Sequence, residues 1–244
     1  MELGSENMKP LDQKHILLGV TGSIAAYKAA DLASKLAQAG ARVNTLLTPS
    51  ATQFISPLTF QSVTGQGAYT DANLWGAQSH VLHVGLGHTA DLLVIAPATA
   101  NTIARLAQGL ADNLLVLTAL AFGPGTAARP LVIAPAMDGV MYTHPTTQEN
   151  IAILRQRGAV IIGPEAGHLA SGLKAHGRMS EPATLFGQIR LLLTRTGALQ
   201  GKRVVVTAGG TQEQIDPVRV ITNRSSGKQG YALAQACLDQ GAEV

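Results

Sequence analysis

Several turns in this 244-residue sequence carry residues that could hold a phosphorylated, planar ligand. In Thr21-Gly22-Ser23, which follows the apolar run Ile16–Val20, Gly22 lets the backbone approach a ligand closely. Ser23 and the free N–H groups of the next helix can then hold a phosphate. The same three residues would serve equally well as an ordinary helix N-cap. In Ala96-Pro97-Ala98-Thr99-Ala100-Asn101, Pro97 ends a strand, Thr99 can cap a helix, and small Ala98 and Ala100 leave room for a planar group. Asn101 brings an amide with two donors and two acceptors, although a simple capping role competes. Thr48-Pro49-Ser50 and Ala134-Pro135-Ala136-Met137-Asp138 are two further turns of this kind. Met137 and Met141, at i and i+4, read by default as core residues.

Proton transfer near neutral pH is the business of histidine, and His80, His83 and His88 cluster in one stretch. Two histidines three residues apart can ligate a metal. Apart from Asp91, however, no nearby cysteine or carboxylate completes a zinc site, so no metal is expected. Neither a GxGxxG nor a GxxxxGK pattern occurs, which disfavours dinucleotides and P-loop chemistry.

The elements that must position these residues alternate between β-branched runs and alanine-rich helical ones. Ile16–Val20 and Arg42–Leu47 read as strands around a helix over Ile24–Ala39, which Gly40 stops. Asp91–Ala96 and Pro130–Ala134 are apolar throughout, as buried parallel strands require. Thr99–Gln108, Asn113–Ala121, Thr147–Arg157 and Pro182–Arg195 read as helices, and Ala159–Ile162 as a strand. After a linker at Thr196–Gly201 the pattern restarts, with a strand at Arg203–Thr207, a helix at Gly227–Gln240 and a strand begun at Ala242–Val244. The alternation implies an α/β, doubly wound parallel sheet of flavodoxin or Rossmann type, followed by the first βα unit of a second Rossmann-like domain. The expected boundaries are a disordered leader over residues 1–13, a main domain over 14–196, and the beginning of a longer domain over 197–244.

Hydrophobic residues make up 46% and charged ones 14%, enough for a core and against disorder. Aromatics are only 4%, so aliphatic side chains and alanine must fill that core. Asn113–Phe122, the longest apolar stretch, is too short for a membrane span, which needs about 20 residues. A net charge of +3 without basic runs suits a phosphorylated small molecule as well as nucleic acid. The single cysteine, Cys237, excludes an internal disulfide and fits a reducing cytoplasm.

Three segments come in order. They are Val20-Thr-Gly-Ser-Ile-Ala-Ala-Tyr-Lys28, Ala90-Asp-Leu-Leu-Val-Ile-Ala-Pro-Ala-Thr-Ala-Asn101 and Pro135-Ala-Met-Asp-Gly-Val-Met-Tyr142. With their spacing they resemble the homo-oligomeric flavin-containing cysteine decarboxylases, most closely the bacterial phosphopantothenoylcysteine decarboxylases, over nearly all of residues 14–196. Ala208-Gly-Gly-Thr211, Ile215-Asp-Pro-Val-Arg219 and Ile221-Thr-Asn-Arg-Ser-Ser-Gly-Lys228 resemble the start of the phosphopantothenate–cysteine ligases that are commonly fused behind them.

The resemblance implies FMN, with its phosphate near Gly22, Ser23 and Ile24, and with Thr48, Ser50, Pro97, Ala98, Thr99 and Asn101 contacting the rest. It implies a catalytic His83, substrate contacts from Asp112, Met137, Met141 and Gly172, and assembly as a homotrimer or dodecamer with flavin at subunit interfaces. It implies too that the flavin oxidises the CH₂–SH carbon, so that the resulting thioaldehyde can accept the electrons left by CO₂ and 4′-phosphopantetheine results. The family's catalytic Asn and lid Cys are replaced here by Asp138 and Ser171. Asp138 would repel the substrate carboxylate unless protonated or compensated, and a serine is far less acidic than a thiol. The lid itself, glycine-rich through Gly167, Gly172 and Gly177, suits a clamp.

For the second unit the resemblance implies CTP and Mg in a complete ligase. Gly209, Gly210, Ser225, Ser226, Gly227 and Lys228 would lie toward phosphate groups, and Arg219 and Asn223 toward the acyl-cytidylate; no ligase activity is expected of this chain alone. A peptidyl-cysteine decarboxylase, a flavin prenyltransferase and a flavin-binding regulatory subunit are the competing readings. The ligase-like segment disfavours the first two.

Overall fold

The computed structural model describes residues 9–75, 81–195 and 197–244. The chain divides into two units between Ile189 and Arg190.

In the first unit, strands β1 (His15–Val20), β2 (Arg42–Leu47), β3 (Ala68–Tyr69), β4 (Leu92–Ala98), β5 (Leu131–Pro135) and β6 (Val160–Ile161) form a parallel sheet in the order β3-β2-β1-β4-β5-β6. Helices α1 (Ala26–Gln38), α2 (Pro57–Thr64), α3 (Leu82–Thr89), α4 (Ala100–Gln108), α5 (Leu114–Phe122), α6 (Gly139–Thr143) and α7 (Pro145–Gln156) connect and flank it. Every residue of β1, β4 and β5 is buried, which is why their sequences run apolar rather than alternating. Leu17, Leu93, Ile95 and Ile133 from the sheet meet Ile103, Leu115 and Phe122 from the helices in one core. Gly19 permits the closest part of this packing, since a Cβ there would lie 2.5 Å from Leu115. An antiparallel hairpin, β7 (Glu165–His168) and β8 (Lys174–Arg178), follows the sheet, and α8 (Pro182–Thr194) runs across the division between the units. Among the described residues no helix is long and apolar enough to cross a membrane.

The strand order is the doubly wound one that the alternation implied, with direction reversing between β1 and β4. Details differ from the sequence reading. Residues 10–13, expected within a disordered leader, form a turn in which Leu11 is fully buried and donates its N–H to Ala39 O. Helix α1 starts at Ala26, not Ile24, because Ser23–Ala25 make a tight turn closed by the Ser23 hydroxyl. Strand β4 runs on through Pro97 to Ala98, where Ala136 N–H donates to Ala98 O after a register shift. Helices α2, α3 and α6, strand β3 and the β7–β8 hairpin carry weak periodicity and were not foreseen.

The second unit departs furthest. The strand expected at Arg203–Thr207 reduces to an isolated bridge between Arg203 and Glu243. Among the described residues of this unit the one strand pair is antiparallel, β9 (Gln212–Gln214) with β10 (Val220–Thr222), ahead of α9 (Lys228–Asp239). Of the expected first βα step of a second parallel sheet, the parallel bridge between Arg203 and Glu243, on either side of α9, is the part formed. Parallel strands rely on neighbours and covered faces, and Val205, in the middle of the apolar run, is 87% exposed.

Candidate active site

Ligands in open α/β sheets settle beyond the carboxyl ends of the strands, where the strand order reverses. A cleft of about 530 Å³ lies at that place, lined by the turns after β1, β2, β4 and β5. Its size falls in the range of small-molecule and cofactor sites. The turn after β1 is held by Thr21, whose buried hydroxyl donates to Pro97 O at 2.7 Å and accepts from Thr99 N–H at 3.1 Å. Gly22 abuts the turn after β2 so closely that a Cβ would meet Ser50 Cβ at 2.4 Å. Thr48 N–H donates to Val20 O, and the Thr48 hydroxyl accepts from Ala51 N–H at 3.3 Å. Three strand ends are thus tied together by backbone and hydroxyl bonds, which makes a rigid rim.

Of the residues expected around a cofactor, Gly22, Ser23, Thr48, Ser50, Thr99 and Asn101 line this cleft. Pro97 and Ala98 are buried behind the rim, and Ile24, 61% exposed, opens on a second cleft. Thr99 caps α4 by accepting from Thr102 N–H. At the far end Arg105 donates to Asn101 Oδ1 at 3.2 Å and pairs with Asp112. Asp71 and Asn113 both cap α5, accepting from Leu114 N–H at 2.9 Å and Val116 N–H at 3.0 Å. Met141 also lines this end. Asp71 and Arg105 were missed by the sequence reading, as was the bracing role of Thr21. Of the first two, Arg105, four residues after Asn101 on a helix, left a signal there.

The second cleft, about 470 Å³, lies between the start of α1, the turn after β5 and the β7–β8 hairpin. It shares Ser23, Ala136 and Met137 with the first cleft. The hairpin is seated directly on the β5–α6 turn: Met137 N–H donates to Gly177 O, and a Cβ on Gly177 would meet Met137 O at 2.1 Å. Gly172 turns the hairpin tip at φ +82°. Ser171, just before it, donates to Asp138 Oδ2 at 2.6 Å, while Asp138 Oδ1 caps α6 by accepting from Val140 N–H at 2.9 Å. Donation from Ser171, and then from Val140, holds the Asp138 carboxyl below the ordinary carboxylate value, so it is ionised at neutral pH. Deeper in, buried Lys28 reaches Glu181 at 2.9 Å and Met179 O at 3.3 Å. Arg178 pairs with the same carboxylate, which these cations, the Lys28 hydrogen bond foremost, make more acidic than usual. Lys28, Arg178 and His168 line this cleft and were not foreseen.

His83 sits on α3 and lines neither cleft. Its Nδ1 is buried without a hydrogen-bond partner among the described residues. Arg129 fixes the end of that helix, donating to Gly87 O, Ala90 O and Phe122 O with its guanidinium 4.4 Å from the Phe122 ring centroid. His88 is exposed on the same helix, and His80 lies outside the described residues. No group of three or more potential metal ligands occurs among the described residues.

In the second unit, Asn223 Oδ1 accepts from Ser225 N–H at 2.9 Å, and a Cβ on Gly210 would lie 2.4 Å from that oxygen. Gly209 and Gly227 take positive φ, Gly227 opening α9. Ser226 and Lys228 are exposed, and Arg219 pairs with Asp216.

Residues 4–194 match the family model described as Flavoprotein. The chain belongs to the flavoprotein family. Residues 199–244 of this flavoprotein match the model described as the DNA/pantothenate metabolism flavoprotein C-terminal domain. It is 46% identical over 236 residues, 96% of its length, to the coenzyme A biosynthesis bifunctional protein CoaBC of Bacillus subtilis (strain 168). The CoaBC of Vibrio vulnificus (strain YJ016) is likewise 46% identical, over 97% of the chain. The chain spans 57% and 58% of the length of these two relatives. Among solved structures, it is similar to a Cys-to-Ser mutant of PPC decarboxylase complexed with pantothenoylaminoethenethiol. That likeness has a TM-score of 0.65 and 34% identity, over 73% of this chain and 97% of the other. The FMN-binding protein AtHal3 is similar with a TM-score of 0.64 and 33% identity, over 73% and 96%.

Proposed function

We propose that this flavoprotein binds FMN and decarboxylates 4′-phosphopantothenoyl-L-cysteine to 4′-phosphopantetheine, a step of coenzyme A biosynthesis. The observation that carries the reading is the pair of clefts meeting at Ser23, Ala136 and Met137. One is rimmed by hydroxyls and a turn with no room for a Cβ, which suits a phosphorylated planar cofactor. The other lies under a hairpin and suits an acyl-cysteine that must touch it. The CoaBC relatives, the FMN-binding neighbour and the PPC decarboxylase neighbour support the same reading.

The donor set fits FMN. Ser23, with the N–H groups opening α1, would hold the phosphate beside Gly22 and Ile24, and Thr48, Ser50, Thr99 and Asn101 would hold the remainder. Bound there, FMN supplies a two-electron sink for the CH₂–SH carbon and returns the pair after CO₂ has left. Met137 separates the two clefts and sets how the substrate approaches. Met141, Asp112 and the Gly172 tip of the hairpin complete the substrate side. His83 acts in proton transfer at an interface. Its Nδ1, without a partner among the described residues, and the exposed Val81 at the start of α3 and Leu120 on α5 favour a site completed by a second copy in a homotrimer or dodecamer. The protein works in the cytoplasm. Within a complete ligase domain, the second unit would help CTP and Mg activate phosphopantothenate.

The test is to load the protein with FMN, supply 4′-phosphopantothenoyl-L-cysteine and follow CO₂ and 4′-phosphopantetheine. His83→Ala should keep its flavin and lose about 10²–10⁴-fold in rate. A colourless protein that refuses FMN would end this reading. Flavin bound without CO₂ would favour a regulatory subunit, the alternative that Asp138 and Ser171 suggest.

A further inference from the structure

The two positions at which this chain departs from the family pattern touch each other. Ser171 on the hairpin and Asp138 after β5 are 33 residues apart in sequence, yet they share a 2.6 Å hydrogen bond and face the same cleft. Decarboxylation of a carboxylate consumes one proton, since RCOO⁻ and H⁺ become RH and CO₂. We propose that Asp138 carries that proton: it takes one up as the substrate's carboxylate docks beside it and passes it through Ser171 Oγ to the carbon that loses CO₂. The inference rests on the function proposed above.

The charges around the cleft favour such an uptake. Asp138 is anionic before substrate arrives, fixed by the Ser171 hydroxyl and the Val140 N–H. The groups lining the cleft that could offset a second carboxylate are Tyr27 and Lys28 from α1 and His168, which is exposed, and Arg178 from the hairpin. Of these, Lys28 and Arg178 already share Glu181. Two carboxylates brought together without a dedicated cation hold one proton between them, because they cannot both stay ionised in contact.

When the C–CO₂ bond breaks, its electron pair stays on the former α-carbon, conjugated with sulfur. The Ser171 O–H bond then breaks as its proton forms the new C–H bond, and the Asp138 O–H bond breaks to restore the Ser171 hydroxyl. Ser171 ends neutral, Asp138 ends as the carboxylate it began as, and no oxidation state changes in this step. With CO₂ gone, no second carboxylate lies beside Asp138, so it stays ionised until the next substrate docks.

The test is calorimetry on the FMN-loaded protein near pH 7, in two buffers of different ionisation enthalpy. The probes are 4′-phosphopantothenoyl-L-serine, which keeps the carboxylate, and 4′-phosphopantetheine, which shares the phosphate and lacks the carboxylate. Wild type should take up about one proton with the first probe and none with the second. Asp138→Asn should take up none with either. Serine-probe affinity of wild type should fall by up to about tenfold per pH unit as pH rises, and that of Asp138→Asn should not. Ser171→Ala should keep the uptake but form product about 10²-fold more slowly, and Ser171→Cys should recover it. No uptake by wild type, or uptake that survives Asp138→Asn, overturns the proposal. Flavin that is never bleached by 4′-phosphopantothenoyl-L-cysteine sinks the decarboxylase reading itself. Bleaching and CO₂ release without proton uptake sink only this inference.

Discussion

Strands β4 and β5 of the first unit are buried along their whole length, whereas β9 and β10 of the second are exposed along theirs. Helix α1 buries six residues and α9 buries none. Both units have glycine turns leading into helix starts, the local grammar of a phosphate site. Only in the first does a sheet bring several such turns to one edge and brace them against each other. A glycine turn is a site when its neighbours are held. Gly209, Gly210 and Ser225–Lys228 have no covered sheet behind them among the described residues.

The contrast can be broken most forcefully in the core. Leu93, with no exposed area in β4, should lose about 2–5 kcal/mol on Leu93→Ala, measured by chemical denaturation. A loss below 1 kcal/mol would mean that the sheet is not the first unit's foundation.

Next in size is the brace at the rim. Thr21→Val leaves Pro97 O and Thr99 N–H unpaired, and should destabilise by about 1–3 kcal/mol while weakening FMN retention in a flavin titration. Unchanged retention would show that the turns after β1 and β4 hold their positions independently.

At the opposite end of the sheet, His15 probes the first unit's interior through pH. Burial, foremost, and the Arg42 charge push its imidazole below the ordinary value of 6.5, against the opposing hydrogen bond with Thr89. The folded state therefore favours the neutral ring, and unfolding takes up a proton. The contribution is full above about pH 6.5 and drains away as pH falls through the lower folded value. Thermal melts should show this loss in wild type and a flatter profile in His15→Gln. Identical profiles would refute it.

The smallest effect belongs to the second unit. Val218 is 89% exposed, and Val218→Ser should change stability by no more than about 0.5 kcal/mol in the same denaturation assay. A larger loss would mean that this apolar surface is covered in solution.

Much of the first unit was legible because burial leaves a strong pattern. Leu92–Ile95 and Leu131–Ile133 had to be interior strands, and Gly40 had to stop a helix. Thr99 showed itself as a cap through its place between a proline and an alanine-rich helix. The β7–β8 hairpin did not show, since Gly167–Arg178 mixes exposed and half-buried residues with no period to read. The second unit was less legible for the converse reason. Val204–Val206 look like a strand, and with only the short segment at Glu243 beside them they reach no further than a parallel bridge.

The sequence by itself determined the doubly wound class, the turns at the strand ends and the residue types on them, because hydrophobic period and glycine placement are local properties. Tertiary structure alone decided that Thr21 braces the Pro97 turn, that Pro97 and Ala98 sit behind the rim, and that Asp138 meets Ser171. Contacts between residues tens of positions apart follow from how the sheet folds back on itself, and no spacing along the chain encodes them.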